Sequence, residues 1–202
     1  LPDLLTFNLK KNMMKRIILT VALFASITTY AQKFEIGAKA GLNVSNFTGS
    51  NIETESLVGY HFGGFISFFL GNKFAITPEL LYSSQGAKFE SGSQTINQKV
   101  SYINIPVLLK YRTIGGFYLE AGPQIGFKTG GSSATLDSLT KSTDVSIAAG
   151  IGFHSKIGLG IGARYTAGLS TVSELPATGV NPDYKNGVFQ LSLFYTLFNK
   201  RK

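Results

Sequence analysis

From Gln32 onward the chain alternates apolar and other residues with a period of two, in eight runs. The clearest are Tyr102–Arg112 and the run that follows it. Ile103, Ile105, Val107, Leu109 and Tyr111 share one face; Tyr102, Asn104, Pro106, Leu108, Lys110 and Arg112 share the other. After a turn at Ile114-Gly115-Gly116, Phe117, Leu119, Ala121, Pro123 and Ile125 oppose Tyr118, Glu120, Gly122 and Gln124. A period of two with one apolar face predicts β-strands whose two sides have different surroundings. The other runs are Phe34–Phe47, Leu57–Leu70, Phe74–Phe89, Asp144–Ser155, Leu159–Leu169 and Val188–Phe198. No helical period interrupts them.

The connections alternate in length. Tight turns fall at 71–73, 114–116 and 156–158; polar loops fall at 48–56, 90–98, 129–143 and 170–186. Long loops on one rim and tight turns on the other predict an all-β fold, an eight-stranded antiparallel transmembrane β-barrel. Runs of 11 to 16 residues suffice where a tilted spanning strand needs roughly 9–11. An even strand count returns both ends to the tight-turn side, the periplasm.

The alternation also fits a soluble sandwich or lipocalin-like barrel, in which Glu79, Lys110, Glu120 and Arg164 would face water. The membrane barrel inverts the faces. Glu35, Lys39, Glu79, Lys110, Glu120 and Arg164 then enter the lumen as a network of both signs, with Lys110 and Glu120 as cross-strand neighbours. Tyr82, Tyr111, Tyr165 and Tyr195, near strand ends on the other face, suit an interfacial girdle. Glycines on the charged face, among them Gly37, Gly152, Gly160 and Gly162, make room in a narrow interior. Pro78, Pro106 and Pro123 each remove a ladder donor inside a run, and are expected at bulges.

The amino end reads differently. Residues 1–12 precede the first Met and resemble an upstream extension. Residues 13–31 have the layout of a secretory signal peptide: Lys15-Arg16, an apolar Ile17–Thr28, and Thr29-Tyr30-Ala31 before Gln32. The uncharged run Ile17–Ala31 is 15 residues, short of the roughly 20 that a spanning helix needs. The barrel domain is 32–202, with 15 basic and 10 acidic residues. The positive charge is scattered and the chain is exported, so nucleic acid is not an expected partner. Without Cys there is no disulfide framework and no thiolate site.

ITPELLYSSQGAK (76–88), YINIPVLLKY (102–111) and YLEAGPQIGF (118–127) resemble the strand signatures of the PorT-like outer-membrane β-barrel family of Bacteroidetes. KFEIGAKAGLNVSNF (33–47) resembles that family's first strand. The resemblance covers about the whole exported chain and implies the outer membrane and the barrel fold. It implies no activity, because the fold hosts many roles. One departure is the carboxyl end, where Phe198 is followed by Asn199 and a basic tail.

Candidate chemistry is sparse. Of two histidines, His154 projects inward near a tight turn. His61 projects inward on the long-loop side and is the candidate base for an envelope lipid or peptide hydrolase. No spacing matches a metal site or a phosphate loop. The expectation is a monomeric, non-enzymatic structural or interaction protein without cofactor or metal. Outer-membrane lipid and an envelope protein are the expected partners, met through the outer loops. The alternatives are a narrow passive pore and the His61 hydrolase.

Overall fold

The computed structural model describes residues 33–48, 55–91, 94–131, 142–169 and 185–200. The expected leader, residues 1–12 and the middles of the long loops lie outside these.

Eight strands follow one another: β1 (Phe34–Thr48), β2 (Glu55–Leu70), β3 (Phe74–Ser91), β4 (Gln94–Arg112), β5 (Phe117–Gly131), β6 (Thr143–His154), β7 (Leu159–Gly168) and β8 (Lys185–Lys200). Each pairs antiparallel with its neighbours in chain order, and β1 pairs with β8, so the sheet closes. Closure leaves no edge, which lipid requires because it cannot satisfy bare backbone groups.

The faces are inverted relative to a soluble barrel. In β8, Gln190, Ser192, Phe194 and Thr196 are buried, while Phe189, Leu191, Leu193 and Tyr195 are exposed. The charged face lines the interior and the Ile, Leu, Val and Phe face is outside, all round the barrel. Exposed apolar surface on this scale is stable only against hydrocarbon.

The β4–β5 and β6–β7 turns repeat one design. Thr113 N–H donates to Phe117 O at 2.8 Å, and Ser155 N–H to Leu159 O at 2.9 Å. The Thr113 and Ser155 hydroxyls donate to the same two carbonyls. Each turn closes through a glycine with positive φ, Gly116 at 94° and Gly158 at 90°, where a Cβ is strained.

Two expectations are corrected. The polar stretch 90–98 is mostly strand: β3 and β4 continue to pair up to Ser91↔Gln94. Its Ser, Thr, Asn and Gln read as loop by composition, yet the backbone hydrogen bonds of a growing hairpin hold them extended. The prolines do not sit at bulges. Register shifts occur at Ile36/Gly37, Ser56/His61 and Ser101/Tyr102. Around the prolines the register is kept and the pairing lapses. It skips from Pro78↔Val107 to Leu81↔Asn104, and from Pro106↔Gln124 to Leu109↔Ala121. A missing N–H deletes a hydrogen bond without adding a residue, so the strand has nothing to accommodate by bulging.

Candidate functional site: the packed lumen

Inward residues stack in layers from the tight-turn end to the long-loop end. The lowest is built by Glu35 (β1), Arg112 (β4), His154 (β6) and Thr196 (β8). Arg112 grips Glu35 with two nitrogens, at 2.8 and 3.2 Å. It also donates to His154 Nδ1, and His154 Nε2 lies 3.1 Å from Thr196 Oγ1. An arginine donor on Nδ1 leaves the ring proton on Nε2, so Thr196 accepts.

Above it is the charge layer. Arg164 (β7) reaches across the lumen to Glu79 (β3) with two nitrogens, at 2.8 and 2.9 Å. The same guanidinium meets Glu120 (β5) at 2.6 and 2.9 Å. Lys39 (β1) adds 2.6 Å to Glu79, and Lys110 (β4) adds 3.2 Å to Glu120. Lys110 and Glu120 are direct partners in the ladder. All five are buried, so removing any one leaves a buried partner short of its counter-charge. The planar fork of arginine explains why Arg164 holds two carboxylates at once.

Of the six sequence candidates, Lys39, Glu79, Lys110, Glu120 and Arg164 therefore meet. Glu35 lies apart, and its partner is Arg112, an inward residue outside the expected network. The signal for Arg112 was its parity with Lys110. Nothing in the sequence told which of several inward cations faces Glu35, because β1 and β4 are not neighbours.

An aromatic plug is the element that sequence reading missed. Phe65 (β2), Tyr118 (β5) and Phe194 (β8) turn inward and meet edge to face, with centroids 5.7 and 6.0 Å apart about Phe194. Lys110 Nζ sits 4.5 Å from the Tyr118 centroid and 5.7 Å from the other two. The plug is thus tied to the charge layer by cation–π contact. Glycines face the rings. A Cβ on Gly162 would lie 2.3 Å from the Tyr118 hydroxyl, and one on Gly160 2.1 Å from Phe194 Cζ.

The upper layer is uncharged. His61 (β2) Nδ1 lies 2.7 Å from Asn43 (β1) Oδ1, and its Nε2 lies 2.9 Å from Ser192 (β8) Oγ. Asn43 Nδ2 donates to Ser83 Oγ and to the carbonyls of Tyr60 and Ser84, while Gln190 donates to Asn43 Oδ1. This fixes the amide oxygen toward His61, hence the proton on Nδ1 and the lone pair toward Ser192. The order hydroxyl, imidazole, amide is that of a nucleophile, its base and an orienting group. Among the described residues no group of three or more metal-ligating side chains forms.

A family model for the outer membrane protein beta-barrel domain matches residues 30–174, well over half of the chain. The chain belongs to that family. Its place is accordingly the outer membrane. Neisserial surface protein A resembles this outer-membrane barrel over 81% of the present chain and 97% of its own, at 14% identity and a TM-score of 0.51. Ail of Yersinia pestis, solved in complex with the heparin analogue sucrose octasulfate, covers 82% and 99% at 19% identity and a TM-score of 0.49. Identities this low speak to the fold alone. No curated protein matches the barrel in a sequence comparison.

Proposed function

We propose that this outer-membrane barrel is a monomeric, non-enzymatic scaffold that presents its long-loop side to another envelope component. The observation that carries this is the filled interior. Five mutually paired charges and three aromatic rings occupy the cross-section, as the interior of an eight-stranded barrel permits. Such a lumen stiffens the wall and leaves recognition to what projects from it. β3 and β4, of 18 and 19 residues, run well past the roughly 9–11 that cross the hydrocarbon. Their hairpin is the leading partner surface. Cross-linking from intact envelopes tests it: photo-reactive residues at Lys88, Asn97 and Lys128 should capture one protein repeatedly, and shortening the hairpin by 87–98 should abolish capture from Lys128. Equal capture without the hairpin overturns the proposal.

Export and the narrower family belong to the same reading. The signal-peptide pattern supports a mature chain starting at Gln32, which amino-terminal sequencing of the membrane form checks. The three strand signatures support a PorT-like member; no role in secretion is taken from that.

The Ser192–His61–Asn43 relay favours one second reading, an envelope hydrolase. Against it, Ser192 is buried and its backbone is committed to ladders with Gly41 and Gly162, so the wall offers no spare donors for an oxyanion. Labelling of Ser192 by a fluorophosphonate, lost in His61→Ala, would establish this reading over the first.

A further inference from the structure

The lipid-facing wall is not uniform. Between β5 and β8 two apolar grooves cross it obliquely along the ladder direction. The first, of about 480 Å³, lies between the row Leu119–Ile151–Ala163 and the row Phe117–Phe153–Ile161. The second, of about 500 Å³, lies on the other side of the Leu119–Ile151–Ala163 row, beside Tyr165 and Phe189. Alanines at the outward positions 149 and 163 lower the surface here.

The first groove leads to a polar mouth. Thr113 and Phe153 line both it and a pocket of about 330 Å³ at the tight-turn rim. That pocket holds Arg112, His154 and Lys156, with Glu35 as the one carboxylate among its lining residues. Glu35 is gripped by Arg112, and Lys156 at the turn is exposed. The turn tips beside it are apolar: Ile114 is 92% exposed and Ile157 75%. The third tight turn is Gly71-Asn72-Lys73. Apolar surface thus extends furthest toward the periplasm on the grooved side.

We propose that this wall binds one diacyl glycerophospholipid of the inner leaflet, its two acyl chains in the two grooves and its phosphate at Lys156. A concave apolar wall gives a chain more close contacts than a convex one, and each contact adds dispersion attraction. The ammonium is a compact charge suited to a phosphate oxygen. A second copy of the chain fits less well, because two-fold pairing through this face would bring both rims' cations together.

The test uses the full chain in nanodiscs containing a phosphatidylethanolamine with a diazirine in one acyl chain. Cross-linked positions are mapped by mass spectrometry. The expected result is several-fold more labelling in residues 117–121 and 149–163 than on the β1–β2 face around Leu42 and Val58. Ala163→Phe, which fills the groove from outside and leaves the lumen untouched, should bring labelling down to the β1–β2 level while the heat-dependent gel shift persists. Lys156→Glu should lower it several-fold. Even labelling around the barrel, or labelling indifferent to Ala163→Phe, overturns the proposal, as would cross-links between two chains at the groove.

Discussion

Arg164 is the residue on which the interior turns. It alone touches both buried carboxylates of the charge layer. Removing it leaves Glu79 with Lys39 and Glu120 with Lys110, two pairs without the bridge between them. Arg164→Met should therefore destabilise by about 3–5 kcal/mol, as loss of one partner from a buried cluster does. Lys110→Met should cost less, because Glu120 keeps Arg164. The double variant Lys110→Met/Glu120→Ala should lose less than the sum of the singles, since the two share one interaction. Urea unfolding with lipid present reads all of these; losses of only about 0–1 kcal/mol would mean a solvated cluster. A neighbouring residue gives a second, steric test. Gly162→Ala drives a Cβ into the Tyr118 hydroxyl and should cost about 1–3 kcal/mol, the usual range for overpacking. Tyr118→Phe removes the offending oxygen, so the pair should be more stable than Gly162→Ala alone.

Among the elements, β3, β4 and β5 form the weaker sector of the wall. Pairing lapses opposite Pro78, Pro106 and Pro123, whereas β6 and β7 pair without a break from Ser146↔Gly168 to His154↔Gly160. Fewer ladder bonds mean easier local opening. Hydrogen exchange in micelles should run about tenfold faster at Val107, Leu108 and Gly122 than at matching depth in β6 and β7, an order of magnitude typical of sub-global opening. Uniform exchange would show that lateral packing compensates for the lost donors. Above the lapses, β3 and β4 recover a regular ladder as far as Ser91↔Gln94.

For the whole molecule, a closed sheet with an apolar exterior and a tied interior should resist detergent until heated. Circular dichroism should show strand, and the gel band should shift on boiling. Planar-bilayer recordings should show no steady conductance in the native chain. Phe65→Ala with Phe194→Ala removes two of three plug rings and should open brief, small currents, because charged groups then face a wetted gap. Steady ion-selective openings before any substitution would instead favour the passive pore.

The strand count and the faces were legible in the sequence because they are local. A period of two is a property of consecutive residues, and a charge placed mid-strand declares which face cannot meet lipid. Lys110 and Glu120 were legible for the same reason, being nearly equidistant from the turn at Ile114–Gly116. Contacts across the lumen were not. Arg164 with Glu79, Arg112 with Glu35 and His61 with Ser192 join strands that are not hydrogen-bonded neighbours. Such meetings depend on how far each strand slides past the next around the closed circle. The inward parity of Phe65 and Phe194 is equally local, but that their rings cluster with Tyr118 across the lumen is not. Only the tertiary structure decided these, because shear and closure are properties of the whole sheet and no single strand contains them.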